Sequence, residues 1–146
     1  MTKAKKVDIQ SREDIQKIVW RFYEKALSDP IIGFFFTQVT DLEVESHVPK
    51  VVNFWETMLF GENIMERSYY SGNMLKAHVD VDAKARIQTG HFTRWLYLFH
   101  NTVDSLYEGA RADLLKEKAT KMANSMSDAL RIKRGESRIG VESLGK

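Results

Sequence analysis

Four histidines, His47, His78, His91 and His100, are the chain's main resource for metal binding and proton transfer. There is no cysteine, which excludes disulfides, thiolate zinc sites, iron–sulfur clusters and covalent cofactor attachment through C-x-x-C-H. Di-iron bundles need Glu-x-x-His pairs, and no glutamate stands three residues before any of the four. Gln88 precedes His91 at that spacing, but an amide is not an equivalent ligand. H-E-x-x-H is absent and no two histidines lie four apart, so a protein-only zinc or di-iron site is not supported. Neither nucleotide loop occurs, G-x-x-x-x-G-K-[ST] or G-x-G-x-x-G. A Ser-His-Asp arrangement stays open, with no G-x-S-x-G to mark it.

One histidine sits in an unusual setting. In HVPKVVNFWETMLFG, residues 47–61, the residues Val51, Phe54, Trp55, Met58 and Leu59 recur three and four apart and form an apolar stripe. His47 stands one turn before Val51 on the same stripe. A cofactor needing one protein ligand and a large apolar slot would suit such a chain, and haem b is such a cofactor. His78 is a candidate ligand. The bland readings stand beside this one: a lone histidine is more often a hydrogen-bonded structural residue, and an aromatic stripe at helical spacing is more often core.

The elements that must position these residues read as helices. No stretch alternates, and the two prolines and eight glycines separate long periodic segments. Residues 1–10 are expected to be a flexible arm. Ser11 is expected to cap a helix to about Leu27, with Asp14 as a capping-box variant and Ile15, Ile18, Val19, Phe22, Tyr23, Ala26 and Leu27 facing in. A second helix runs from about Leu42 to Phe60, with Gly61 as its stop. Pro49 is costly beyond a first turn, so this helix is expected to begin properly near His47. Residues 61–87 hold few apolar residues, and about two helical turns around NMLKAHV are all the periodicity supports. A loop this long in a small helical domain suggests function. A strong helix follows Gly90, with Phe92, Trp95, Leu96, Phe99, Val103 and Leu106 on one face and Gly109 at its end. The last helix spans about Ala110 to Ile132, with Leu114, Leu115, Ala119, Met122, Ala123, Met126, Ala129 and Leu130 inward. Residues 133–146 are expected to be a flexible basic tail.

The chain has 146 residues, 43% of them apolar, which suffices for one domain with a real core. No run approaches the ~18 to 20 apolar residues that span a bilayer, and MTKAKKVDIQ lacks the apolar core of a secretory signal. No membrane partner and a cytoplasmic location are therefore expected. The net charge is +2. Residues 131–146 carry five cations against two carboxylates, so the basic excess lies in the tail and the body has no basic stripe. Nucleic-acid binding is not expected.

Taken together, RFYEKALSDPIIGFFF, HVPKVVNFWETMLFG, YSGNMLKAHVDV and HFTRWLYLFHNT resemble the globins, specifically the group III truncated haemoglobins, over about residues 11–132. Phe22-Tyr23, His47 followed by Phe54-Trp55, Tyr70-x-Gly72 before His78, and Phe92-x-x-Trp95 are specific in this order and at these intervals. Each alone is weak. The resemblance implies an all-α, two-over-two helical sandwich holding haem b, with His78 as the proximal iron ligand. It makes Tyr23 a distal hydrogen-bond donor and His47 the distal histidine, able to control ligand access. It puts Phe36 on the haem face (Phe35 is the alternative), Val51 on the distal side, Trp55 deeper in the pocket and Trp95 at the distal site. Lys50 would meet a haem propionate, with a solvated surface lysine as the other reading. His91 and His100 receive no role; His91 would compete as iron ligand only if residues 61–87 were misread. One departure is Met74, where the family often has proline before the proximal helix.

The resemblance implies a diatomic gas as partner: dioxygen, nitric oxide or carbon monoxide. Dioxygen held in such a pocket gains negative character, and donors aimed at it stabilise that charge. One neutral hydrogen bond is worth ~0.5 to 1.5 kcal/mol. A bond to a charged acceptor is worth more, so two donors, Tyr23 and Trp95, would slow release roughly 10 to 1000-fold at ~1.4 kcal/mol per decade. Such tight binding suits nitric oxide or peroxide redox chemistry better than delivery. Nothing in the chain encodes a reductase domain, so cycling would need an external electron donor. The contrasting expectation is a non-haem helical interaction module whose aromatics are only core.

Overall fold

The computed structural model describes residues 5–61 and 74–135. Among the described residues the regular structure is five α-helices and one π-helical turn, with no strand. The helices are α1 (Arg12–Ala26), α2 (Val44–Phe60), α3 (Met74–Lys84), α4 (Thr89–Leu106) and α5 (Ala110–Lys133), and the π-helical turn is Phe35–Val39. The first helix packs on α2 and α4, and α4 packs on α5. The last helix also meets α2 and α3, and α3 touches the π-helical turn.

The apolar spacing of α1 buries Ile15, Ile18, Val19, Phe22, Tyr23 and Ala26 on one face, as expected. Its start differs from expectation. Ser11 is the N-cap, but its side chain makes no capping bond. Asp14 reaches back instead and accepts the Gln10 N–H at 2.7 Å, while its other oxygen accepts the Tyr107 hydroxyl.

The chain turns after α1 on the buried Asp29 carboxylate, which accepts the N–H groups of Ile31 and Ile32, both at 3.0 Å. Arg94 of α4 holds the same carboxylate through Nε and Nη2. Gly33 is required here, because a Cβ would stand 2.7 Å from the Leu27 carbonyl oxygen. The π-helical turn follows, closed by the Thr40 N–H donating to the Phe35 carbonyl.

The second helix starts earlier than the sequence suggests, at Val44, so Pro49 lies inside it. Pro49 and Glu45 are both exposed. The Glu45 carbonyl, which loses its helical donor to the proline, therefore faces water. The deeply buried residues are Val48, Val52, Trp55 and Glu56. Val51, Phe54, Met58 and Leu59 are half-buried. The core face is thus rotated by about one residue from the stripe read in the sequence, and His47 belongs to the half-buried face. Gly61 ends the helix at φ 71°, a left-handed conformation that glycine adopts freely.

Three turns of helix, α3, stand where two were expected, yet none of its residues is fully buried. The next helix begins at Thr89, before Gly90, and His91 Nδ1 accepts the Gln88 N–H at its start. In α5, Ala112, Leu115, Ala119, Ala123, Met126 and Leu130 are buried. Small alanines on this face let neighbouring helices approach closely. Leu114, expected inward, is 38% exposed, one position off the buried stripe.

The N-terminal segment is not a loose arm over its described part. Ile9 is fully buried, and Asp8 accepts the N–H groups of Arg111 and Ala112, both at 2.9 Å. Those are the free donors in the first turn of α5, so a residue over 100 positions away caps that helix. Gly109, at φ 148°, leaves room for it: a Cβ there would meet the Asp8 side chain at 2.5 Å. At the other end, Arg134 closes α5 and donates to Asp82, so the chain is tied down past residue 133. Residues 1–4 of the expected arm and 136–146 of the expected tail lie outside the described residues.

Candidate functional site

Phe22 and Tyr23 leave the inner face of α1 in adjacent directions, and an aromatic cluster forms around them. The Phe22 ring meets Trp95 and Phe99 edge-on, with centroids 5.6 and 5.9 Å away. Trp95 lies parallel to Phe99 at 5.1 Å and 6°, and Trp55 stacks on Phe99 at 5.2 Å from the other helix. Trp55 is buried and Trp95 half-buried. Both residues therefore serve core packing, and Trp95 also reaches the half-buried side.

Tyr23 points the other way. Its ring meets Phe36 of the π-helical turn edge-on at 5.7 Å and His47 of α2 edge-on at 5.7 Å. Phe35, the alternative to Phe36, turns instead to Phe34 and His91. The extra residue per turn of a π-helix re-aims side chains, and here it separates the two phenylalanines. Tyr23 is 6% exposed, and its hydroxyl makes no hydrogen bond among the described residues. Burial pushes its ionisation well above the ordinary tyrosine range. It is therefore a neutral O–H with a donor to offer.

His47 is half-buried and its ring makes no hydrogen bond among the described residues. Burial lowers its pKa first, and the charges of Lys50 and His78 lower it further. The imidazole is thus neutral at pH 7. Lys50, one turn along α2, is exposed, and Val51 is half-buried beside His47.

His78 lies in α3, close enough for its charge to be felt at His47. Its Nδ1 is 2.8 Å from the Met74 carbonyl. A carbonyl only accepts, so Nδ1 carries the proton and Nε2 keeps its lone pair. A bond of this kind fixes the orientation and tautomer of an imidazole. Met74 supplies that carbonyl although it replaces the proline common in the resembled family. Phe92 lies alongside the His78 ring at 6.5 Å and 27°.

The other two histidines are engaged elsewhere. His91 Nδ1 serves the start of α4, and His100 Nε2 lies 3.1 Å from both the Lys116 carbonyl and the Thr120 hydroxyl. Tyr70 and Gly72 of the motif before His78 lie outside the described residues.

Three buried ion pairs support this frame and escaped the sequence reading. Glu56 is fully buried and held by Arg12 at 2.7 Å. Asp29 pairs with Arg94, and Asp82 with Arg134. The one sequence signal was Glu56 itself, a carboxylate four residues after Val52 on an apolar helix.

The arrangement fits a flat apolar cofactor with one axial imidazole. His78 supplies an oriented ring, Tyr23 an unpartnered hydroxyl and His47 an imidazole of lowered pKa, with Phe36, Val51 and Phe92 adding apolar surface. No family model matches the chain. A curated relative, Group 3 truncated hemoglobin ctb of Campylobacter jejuni, is 29% identical over 128 residues, which are 86% of this chain and 94% of the relative. The crystal structure of group III truncated hemoglobin from Campylobacter jejuni matches with a TM-score of 0.73 and 28% identity, over 86% of this chain and 95% of that one. The fold is that of the truncated haemoglobins, all helical, and its resemblance is to their third group. These similarities support a globin-type haem protein. No helix among the described residues is long and apolar enough to cross a membrane.

Proposed function

We propose that the chain binds haem b through His78 Nε2 and takes up a diatomic gas, dioxygen first, on the side lined by Tyr23, His47 and Trp95. The observation that carries this reading is the Tyr23 hydroxyl. The residue is buried, and its O–H is neutral and unpartnered among the described residues, 5.7 Å ring to ring from a histidine whose pKa is lowered. A phenol O–H with no protein partner is free to donate to a bound ligand. When bound, the haem would supply an iron able to take up a diatomic gas.

The chain's own residues do the rest. Met74 fixes the tautomer and orientation of His78. Phe36 and Phe92 exclude water from the pocket. Tyr23 donates its O–H to the gas and Trp95 its indole N–H, both favouring a ligand that gains negative charge. His47 stays neutral near pH 7 and forms the movable wall toward Lys50. Lys50, exposed beside the pocket, would pair with a propionate. Two strong donors favour retention over delivery, so redox use of dioxygen, nitric oxide or peroxide with a separate electron donor is the reading we prefer.

The test is a titration of haem-free protein with haemin, followed by absorption and by the quenching of tryptophan fluorescence. Saturation at one haem per chain, with quenching from Trp55 and Trp95, supports the reading. A protein that takes up no haem contradicts it.

A further inference from the structure

We infer that Asp82 and Arg134 form a clasp through which the end of α5 positions His78, making Arg134 and Asp82 positioning residues for the axial ligand. The inference rests on the haem reading above.

The helix that carries His78 is weakly anchored. No residue of α3 is fully buried, and Val79, Val81 and the adjacent Ala85 pack only partly against the core. The Lys76–Asp80 pair is exposed and lies within the helix. Asp82 is different. Its side chain is 8% exposed, and that of Arg134 is 15% exposed. One oxygen, Oδ1, accepts both Arg134 Nη1 at 2.7 Å and the Ile87 N–H at 2.7 Å. The first bond ties α3 to the end of α5, and the second ties it to the connection into α4.

Asp82 is four residues after His78, on the same face of the helix. A shift of Asp82 is therefore carried along a rigid helical turn to the imidazole. With no fully buried residue in α3, the clasp helps to set where the helix sits against α5. Elements with few buried contacts also open first, so the clasp governs how long His78 stays in place.

Arg134→Met, Arg134→Lys and Asp82→Asn test this in the full chain. In haem-free protein, amide exchange over residues 74–84 is expected to quicken about 10-fold in Arg134→Met and Asp82→Asn, with exchange in α1 and α4 unchanged. Lysine keeps the charge and should restore most of the protection. In ferrous haem-loaded protein, the iron–histidine stretching band should shift in the same two variants. Haem loss should quicken in the same two variants, by about the 10-fold of the amide exchange if the clasp acts through the placing of His78. Uniformly faster exchange across all helices would overturn the inference, because the pair would then serve general stability only. Unchanged exchange, or an unchanged stretching band and haem-loss rate, would also overturn it and leave the haem reading intact. Failure of the wild-type chain to take up haem would overturn both.

Discussion

Tyr23 and His47 meet edge to face, ring centroids 5.7 Å apart and planes at 85°. They come from different helices, and neither polar tip has a hydrogen-bond partner among the described residues. Both therefore keep a polar atom to offer a ligand. The contact explains why an imidazole opens the half-buried face of α2.

Replacing Tyr23 with phenylalanine separates the two roles of its hydroxyl. The haem-free Tyr23→Phe protein is expected to melt no lower than wild type, because the O–H makes no hydrogen bond among the described residues that the change could remove. Dioxygen release from the haem-loaded variant is expected to quicken about 10 to 100-fold, from ~1.5 to 3 kcal/mol for a bond to a charged acceptor. Thermal melts and stopped-flow displacement measure the two effects.

His47 makes acid stability readable. Its folded pKa lies below the ordinary value of 6.5, so the unfolded chain binds more protons between the two values. Stability therefore falls as pH drops from about 6.5 through the folded pKa, and is unaffected above it. His47→Gln should flatten this part of the profile. Melting temperatures between about pH 5 and pH 7.5 give the comparison, and an unchanged slope in the variant would mean His47 is not the group responsible.

The Arg12–Glu56 pair joins α1 to α2 beneath Trp55. Glu56 is fully buried, and removing one partner of a buried pair costs roughly 3 to 5 kcal/mol. Arg12 is 26% exposed on its side chain, so Arg12→Met is expected to cost somewhat less, about 2 to 3 kcal/mol. Urea denaturation measures it. A loss under about 0.5 kcal/mol would class the pair with ordinary surface bridges.

Asp8 latches the N-terminal segment to α5. Burial raises its pKa, but the N–H groups of Arg111, Ala112 and Ile9 and the Arg111 charge together hold it below the ordinary carboxylate value. Its contribution is therefore full above about pH 4 and lost as pH falls through the lowered pKa. Asp8→Ala is expected to cost about 1 kcal/mol, the usual value of a helix cap. Gly109→Ala should cost at least as much, since its Cβ would collide with Asp8. Denaturation at about pH 7 checks both.

The helical fold was readable because Ile15, Ile18, Val19, Phe22 and Tyr23 leave one solution for α1. For α2 the spacing was ambiguous. Val48 and Val52 form one apolar row and Val51 and Met58 another, and periodicity cannot tell which row meets protein. The long-range partners were unreadable for a different reason. Asp8 with Arg111, Asp29 with Arg94 and Asp82 with Arg134 are brought together by the tertiary fold, and no local spacing encodes them. The candidate pocket was read from resemblance; residue types alone left His78 and the aromatics with ordinary structural explanations.

The central claim is that His78 is the axial ligand. The ferrous absorption spectrum with and without carbon monoxide, for wild type, His78→Ala and His91→Ala, tests it most directly. Wild type and His91→Ala should show the same Soret band shifting with carbon monoxide, and His78→Ala should lose haem or show an altered band. A His78→Ala spectrum identical to that of wild type would contradict the assignment.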